Sequence, residues 1–152
     1  MSGNDETWMR VAIAAAVEAR ELGEVPVGAC IVDAEGNVIS AAGNRTITNC
    51  DPTAHAEIIA LRIAGEAIGN YRLTEATLYS TIEPCVMCAG ALVHARIKRL
   101  VFGARDERFG AALSVFRLCD SDLLNHKILL TEGVMEKECR SLMQDFFRAR
   151  RS

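Results

Sequence analysis

Val27-Gly28-Ala29-Cys30-Ile31-Val32, Asp33-Ala34-Glu35-Gly36-Asn37 and Val38-Ile39-Ser40-Ala41-Ala42 read as strand, turn and strand. The flanks are apolar and rich in β-branched residues, and the centre holds Asp, Gly and Asn, so the three together predict a hairpin. Further along, Leu78-Tyr79-Ser80-Thr81, Arg99 to Phe102 and Lys127 to Thr131 are short strand segments, with Gly103 bounding the second of them. Helical stretches separate them. A hairpin followed by strands alternating with helices predicts an α/β fold, a three-layer sandwich with a mixed sheet.

The helices are read from their ends. Asn4-Asp5-Glu6 supplies a cap and an acidic first turn for a helix that runs to about Leu22, where Gly23 stops it. Met9, Ile13 and Ala16/Val17 form its expected buried stripe. Asp51-Pro52-Thr53 marks a second start, with Thr53 as the cap and the helix continuing to about Ala64. Pro84 opens a third, through about Ala95. Asp106 to Asn125 is weakly patterned and reads as loop with at most one helical turn. The last helix starts near Val134, and Met135, Cys139, Leu142, Met143 and Phe146 fall on one face of it.

Composition bounds the function. The chain has 152 residues, 50% of them apolar, enough for one core, so residues 1–152 are expected to form a single domain. The net charge of −3 excludes a generally basic nucleic-acid coat but leaves room for a local basic patch. The apolar run Val11 to Val17 is far shorter than the ~20 residues of a membrane span. The acidic, polar first residues argue against a secretory signal. A soluble cytoplasmic protein is expected, and its six cysteines, Cys30, Cys50, Cys85, Cys88, Cys119 and Cys139, are then reduced thiols or metal ligands.

The chemistry sits in His55-Ala56-Glu57 and Pro84-Cys85-Val86-Met87-Cys88. Cys85 and Cys88 are spaced to share a helix face. Two thiolates and one imidazole make a zinc shell with a fourth tetrahedral position left for water, which is a catalytic arrangement. Such a shell neutralises the ion, so the water needs further help to ionise. Glu57 can accept its proton, and both ligand groups fall at expected helix N-termini, which favour negative charge. Glu57 lies roughly ~200° around an ideal helix from His55, so periodicity alone does not bring the two together. His94, His126, Cys50 and Cys119 lack a paired spacing. Alone, His-x-Glu is nearly uninformative, and Cys-x-x-Cys reads equally as a redox pair or as buried core; in this order, each at a helix start, the two point to catalytic zinc.

At these residues the sequence resembles the zinc-dependent nucleoside and nucleobase deaminases, whose signature is His-x-Glu followed by Pro-Cys-x-x-Cys. Asp51 to Glu57, Thr81 to Ala91, Val101 to Asp106 and Asp145 to Arg148 are similar to the branch that edits transfer RNA. The resemblance implies a cytidine-deaminase-like three-layer α/β/α sandwich with a five-stranded mixed sheet, usually a homodimer. It implies one Zn²⁺ per subunit on His55, Cys85 and Cys88, with Glu57 as proton shuttle. It implies hydrolytic conversion of adenosine to inosine at the wobble position of a tRNA anticodon stem-loop. Asn44 then hydrogen-bonds the flipped purine, the backbone of Ala56 and the turn Glu83-Pro84-Cys85 line the pocket, and Asp106 and Asn125 lie near the flanking nucleotides. Leu113 and Leu123-Leu124 depart from the branch's pattern, in a substrate-facing loop.

From residues alone RNA contact has weaker support, at the C-terminus, where the bland reading is a helix with a buried Phe face and a solvated tail. Residues 137–152 carry a balance of +3 against −6 in the preceding 136. Phe147 beside Arg148, Arg150 and Arg151 mixes an aromatic ring with guanidiniums, as stacking on unpaired bases requires. Arg96, Lys98, Arg99, Arg105 and Arg108 can extend the patch. Two rivals stand: a deaminase of a free base or nucleoside, of guanine or cytidine type, on the same fold; and a non-catalytic, zinc-stabilised RNA-binding module. Glu57 and the lack of an obvious fourth ligand speak against the second. Trp8 is expected to pack its helix, His94 to be a polar or interface residue, and Cys30 and Cys139 to be small core residues.

Overall fold

The computed structural model describes residues 2–151, the side chains of residues 2, 3 and 151 excepted. The chain forms α1 (Ser2–Glu21), β1 (Gly28–Val32), β2 (Val38–Gly43), α2 (Ala56–Ile68), β3 (Thr77–Ile82), α3 (Val86–His94), β4 (Arg99–Ala104), β5 (Leu129–Glu132) and α4 (Glu136–Arg151). The sheet order is β2-β1-β3-β4-β5. β1 pairs antiparallel with β2 and β3, whereas β3–β4 and β4–β5 are parallel. This is the mixed five-stranded sheet that the segment pattern predicts.

Strand alternation sorts side chains to two cores. Ala29, Ile31, Leu78, Leu100 and Phe102 point to one face, where Ala56, Ala60 and Ala64 of α2 and Ala89, Leu92 and Val93 of α3 cover them. Cys30, Val32, Tyr79 and Val101 point to the other, under Met9 and Ala12 of α1 and Cys139 of α4. Helices on both faces make the sandwich. Trp8 packs at the margin of the second core, and its carbonyl accepts a hydrogen bond from Cys30 Sγ at 3.3 Å. Cys30 and Cys139 are buried core thiols, as expected.

Several boundaries differ from the sequence reading, each for a local reason. Thr53 does not cap α2; its hydroxyl donates to Asp51 in a turn, and His55 is the N-cap. The helix runs on to Ile68 and stops at Gly69, whose φ of 77° is left-handed. α3 begins at Val86 rather than Pro84, with Cys85 as N-cap. Gly103 does not end its strand but lies within it, and its lack of a side chain lets α4 pack close, since a Cβ there would collide with Cys139. Residues 106–125 contain turns and no helix, so the parallel β4–β5 crossover is an irregular loop. Among the described residues no helix is long and apolar enough to cross a membrane.

The register places the working end. Gly28 pairs with Gly43, Ala29 with Ser80, and Ile82 with Ala104. The carboxyl ends of β2, β3 and β4 therefore lie at one end of the sheet, beside the start of β1. The chain leaves β2 and β3 there to begin α2 and α3, which brings both helix N-termini to the crevice where open α/β sheets bind ligands.

Candidate metal centre and cleft

His55 Nδ1 lies 3.6 Å from Cys85 Sγ and 3.6 Å from Cys88 Sγ. Among the described residues these three form the group able to hold a metal ion, with one ligand atom each. A tetrahedral zinc ion with ordinary Zn–N and Zn–S bonds sets a nitrogen-to-sulfur edge of about 3.6 Å. The donor set and its spacing thus fit zinc. The other thiols and imidazoles lie elsewhere: Cys119 is buried in the first core, Cys50 is exposed, His126 bonds the Ile97 carbonyl, and His94 is exposed at the end of α3.

Local backbone explains the convergence. His55 and Cys85 are both N-caps in extended conformation, with ψ of 153° and 179°. Neither follows helical spacing, so the angular argument that separates His55 from Glu57 does not apply: Glu57 is inside the helix and His55 is not. Both helix N-termini direct their dipoles toward the thiols. The Cys85 thiol is pulled down to about 4, first by the hydrogen bond from Cys88 and also by His55. A thiolate is the form a metal needs.

Glu57 lines the same cleft and is only 4% exposed. Burial pushes its carboxyl up to about 7; the Cys85 charge adds to this, while its own backbone N–H and His55 oppose it. A carboxyl near neutrality can both take and give a proton at working pH. The cleft encloses about 340 Å³ and is also lined by Val25, Val27, Asn44, Glu83, Asp106 and Phe109. Asn44 Oδ1 accepts the Ala56 N–H at 2.8 Å, which leaves the carboxamide NH₂ as the donor offered to the cleft. Ala56 is fully buried, and its N–H orients Asn44 rather than facing the cleft.

Glu83 reaches the cleft wall but its carboxylate is occupied. It accepts from the backbone N–H groups of Asp106, Ala112, Leu113 and Ser114 and from Ser114 Oγ. Burial raises its pKa and these bonds more than offset the rise, leaving it below the ordinary carboxylate range. Pro84 is buried behind the site, and its carbonyl accepts the Ala111 N–H. Glu83 and Pro84 therefore hold the loop after β4. Asp106 caps the next turn, accepting from Arg108 and Phe109 N–H, and borders the cleft.

A second hollow shares Ile82, Asp106, Phe109 and Met143 with the cleft and extends it past Arg105, Arg108, Arg140 and Phe147. Arg148, 74% exposed, pairs with Asp145 on the same helix. Other expected contacts are taken up by groups of the protein itself. Asn125 lies outside the cleft lining and accepts from Arg96. Arg150 donates to the Gly23 carbonyl and stacks 4.4 Å from the Phe146 ring centroid. Arg99 is paired with Asp5, and Arg105 with Glu132. The side chain of Arg151 lies outside the described residues. Val25, Val27, Phe109 and Met143 escape sequence reading because nothing local marks an apolar residue as cleft wall; their positions are set by strand register and loop path.

A His, two Cys and a buried Glu, gathered at two helix N-termini over the end of a mixed sheet, define a zinc-dependent hydrolytic deaminase scaffold. The chain belongs to the cytidine and deoxycytidylate deaminase zinc-binding family, which it matches over residues 2–104. It is 52% identical to a tRNA-specific adenosine deaminase of Haemophilus influenzae over 97% of this chain and 85% of the relative. A solved structure from studies of A-to-I editing by tRNA:A34 deaminases superposes with a TM-score of 0.86 at 43% identity, covering 90% of this chain and 98% of the other. A guanine deaminase from Nitrosomonas europaea shares the fold, with a TM-score of 0.82 at 24% identity over 93% of this chain and 83% of the other.

Proposed function

We propose that the protein hydrolytically deaminates adenosine to inosine at the wobble position of a tRNA anticodon loop. The observation that carries the chemistry is the His55–Cys85–Cys88 group beside the buried carboxyl of Glu57. The relatives named for tRNA adenosine support the substrate.

His55, Cys85 and Cys88 would hold one zinc ion per subunit, which when bound would lower the pKa of a water and so provide the nucleophile. Glu57 takes a proton from that water as its oxygen bonds to C6 of the adenine. Glu57 then returns the proton to N1. As the C6–N6 bond breaks, it carries the proton of the newly added C6 hydroxyl to the departing amine, leaving a C6 carbonyl, so water is consumed and ammonia released. The Asn44 NH₂ donates to a ring-nitrogen acceptor of the base and fixes its approach. The base must leave its stack to enter so narrow a cleft, which costs least in a hairpin loop.

The hollow beyond the cleft favours RNA over a free base. Phe109 and Phe147 offer rings to unpaired bases, and Arg108, Arg140 and the neighbouring Arg148 offer charge to the backbone, with Asp106 at the junction. Arg150 and Asn125 are better read as structural, since Arg150 is held by a backbone carbonyl and the Phe146 ring and Asn125 lies outside the cleft lining, whereas the exposed ion pairs Arg140–Glu136 and Arg148–Asp145 are weak ties that a phosphate can displace. The resemblance further supports a single cytoplasmic domain over residues 1–152, acting as a homodimer; sedimentation equilibrium measures the dimer directly.

The deciding measurement is mass analysis of a tRNA pool before and after treatment, with ammonia release from an anticodon hairpin, adenine, guanine and cytidine run in parallel. Adenine-to-hypoxanthine conversion confined to the hairpin supports the proposal. Turnover of a free base or nucleoside with the hairpin untouched replaces it by the free-substrate reading.

A further inference from the structure

Glu24 is a fully buried carboxylate remote in sequence from His55, Glu57 and both metal-site cysteines, yet its bonds lead to the cleft. Oε1 accepts from Ile47 N–H at 3.2 Å and Thr46 Oγ1 at 3.5 Å. Oε2 accepts from Thr48 N–H at 2.7 Å and Thr48 Oγ1 at 2.6 Å. All four donors belong to the loop that leaves β2 and leads to His55. Burying a carboxylate is costly unless its bonds are satisfied, and here one short loop satisfies both oxygens.

That loop begins with Asn44, and the segment after Glu24 supplies Val25 and Val27 to the same wall of the cleft. The Asn44 N–H donates to the Val27 carbonyl at 3.1 Å, and the Arg45 N–H to the Ala54 carbonyl at 2.9 Å. The wall is thus stitched twice: backbone to backbone at Asn44, and through the Glu24 carboxylate at residues 46–48. On the opposite side Glu83 grips residues 106–114 in the same manner. Each wall hangs from one buried glutamate.

We propose that Glu24 is a positioning residue: by clamping residues 46–48 to the entry of β1 it fixes where Asn44 presents its NH₂ to the target base. The idea rests on the reading of Asn44 as a base-binding group. It requires a carboxylate. Each oxygen faces a backbone N–H, of Ile47 or of Thr48, so a glutamine amide, whichever way it is turned, sets its own NH₂ against a fixed donor, even where the threonine hydroxyls rotate to accept. Burial pushes the Glu24 carboxyl up, and the bonds from Thr48, Ile47 and Thr46 outweigh that and leave it below the ordinary range, so the carboxylate is the form in place.

The test uses the zinc-loaded protein and the variants Glu24→Gln, Asn44→Ala, their combination, and Thr48→Val, which deletes a single donor. Amide hydrogen exchange is read at residues 44–48 and in β3 and β4. Steady-state kinetics are read on the anticodon hairpin. Glu24→Gln is expected to speed exchange at Asn44, Ile47 and Thr48 with β3 and β4 unchanged, and to lower kcat/KM by about tenfold. The combined variant is expected to be no slower than Asn44→Ala alone, because Glu24 acts through Asn44. Thr48→Val follows in the same direction with a smaller effect, and it carries the test if Glu24→Gln does not fold. Independent, multiplying losses, or unchanged exchange at Asn44, overturn the proposal. If the wild-type protein leaves the hairpin untouched, the substrate reading fails, while the exchange measurement still decides whether Glu24 holds Asn44.

Discussion

Glu57 and the three potential ligands sit within one turn of two helix starts, yet they should answer differently to substitution. Glu57→Ala removes the proton carrier but no ligand. Zinc content measured by atomic absorption should stay at the wild-type level while turnover falls by about 10²–10⁴-fold. Retention of full activity would remove Glu57 from the proton path. Cys88→Ala removes a ligand, so metal content should fall; the thermal midpoint should fall with it, because a metal bound only by the folded state adds its binding energy to folding. The near-neutral carboxyl of Glu57 follows from burial, which a sequence does not show; His-x-Glu names the residue but not its pKa.

Elements impose their own tests. The β4–β5 crossover lacks a helix, and the backbone N–H groups of Asp106, Ala112, Leu113 and Ser114 within it are satisfied by the carboxylate of Glu83. Gly110 lies so close to that carboxylate that an added Cβ would meet Glu83 and the Asp106 carbonyl. Gly110→Ala should therefore cost about 1–3 kcal/mol of stability, as overpacking does, and limited proteolysis should cut first within 106–114. Resistance equal to wild type would show that the loop is held by something other than Glu83. On α4 the arginines divide by function. Arg148→Ala, and Arg108→Ala across the hollow, should weaken hairpin binding and flatten its salt dependence, by close to one counterion for each phosphate that the guanidinium neutralises. Arg150→Ala should instead lower stability with the salt slope intact, because that guanidinium bonds Gly23 and covers Phe146. Fluorescence titrations at three salt concentrations separate the two outcomes.

For the whole molecule the buried acids make stability depend on acid pH. Asp5 receives two bonds from Arg99, at 2.9 and 2.6 Å, and one from Tyr79, tying α1 to the centre of the sheet. Burial raises its pKa, and the Arg99 and Tyr79 contacts overcome the rise, so the folded value lies below 3.8. Glu24 and Glu83 are likewise held below 4.5. In this range the unfolded chain binds more protons than the folded one, so stability rises with pH. The contribution is complete above the unfolded values and is lost as pH falls through the lower folded ones. Urea midpoints should be level for these three groups above about pH 5.5 and drop steeply below pH 4, and Asp5→Asn should make the drop shallower. A slope unchanged by Asp5→Asn would place the acid sensitivity in other groups.

Local chemistry by itself determined the hairpin, the strand–helix alternation that follows it, and the residues able to bind metal, because each is written in periodicity, turn residues or a short spacing. Most of the face of α4 was legible for the same reason: Cys139 and Phe146, a fixed number of turns apart, are both buried, but Met135 precedes the helix, which starts at Glu136, and takes a left-handed φ of 55°. Ends of elements were less so. Thr53 has the chemistry of a cap, but Asp51 captures its hydroxyl, and Gly103 has the chemistry of a stop, but α4 lies on it too closely for any side chain. Only the tertiary structure decided that His55 and Glu57 line one cleft, by holding His55 outside the helix; that Glu83 and Arg150 are consumed by the protein; and that Glu24 bonds the loop that begins at Asn44. Those outcomes depend on which distant donors and acceptors arrive at a buried group, and chain entropy and burial settle that jointly over the whole fold.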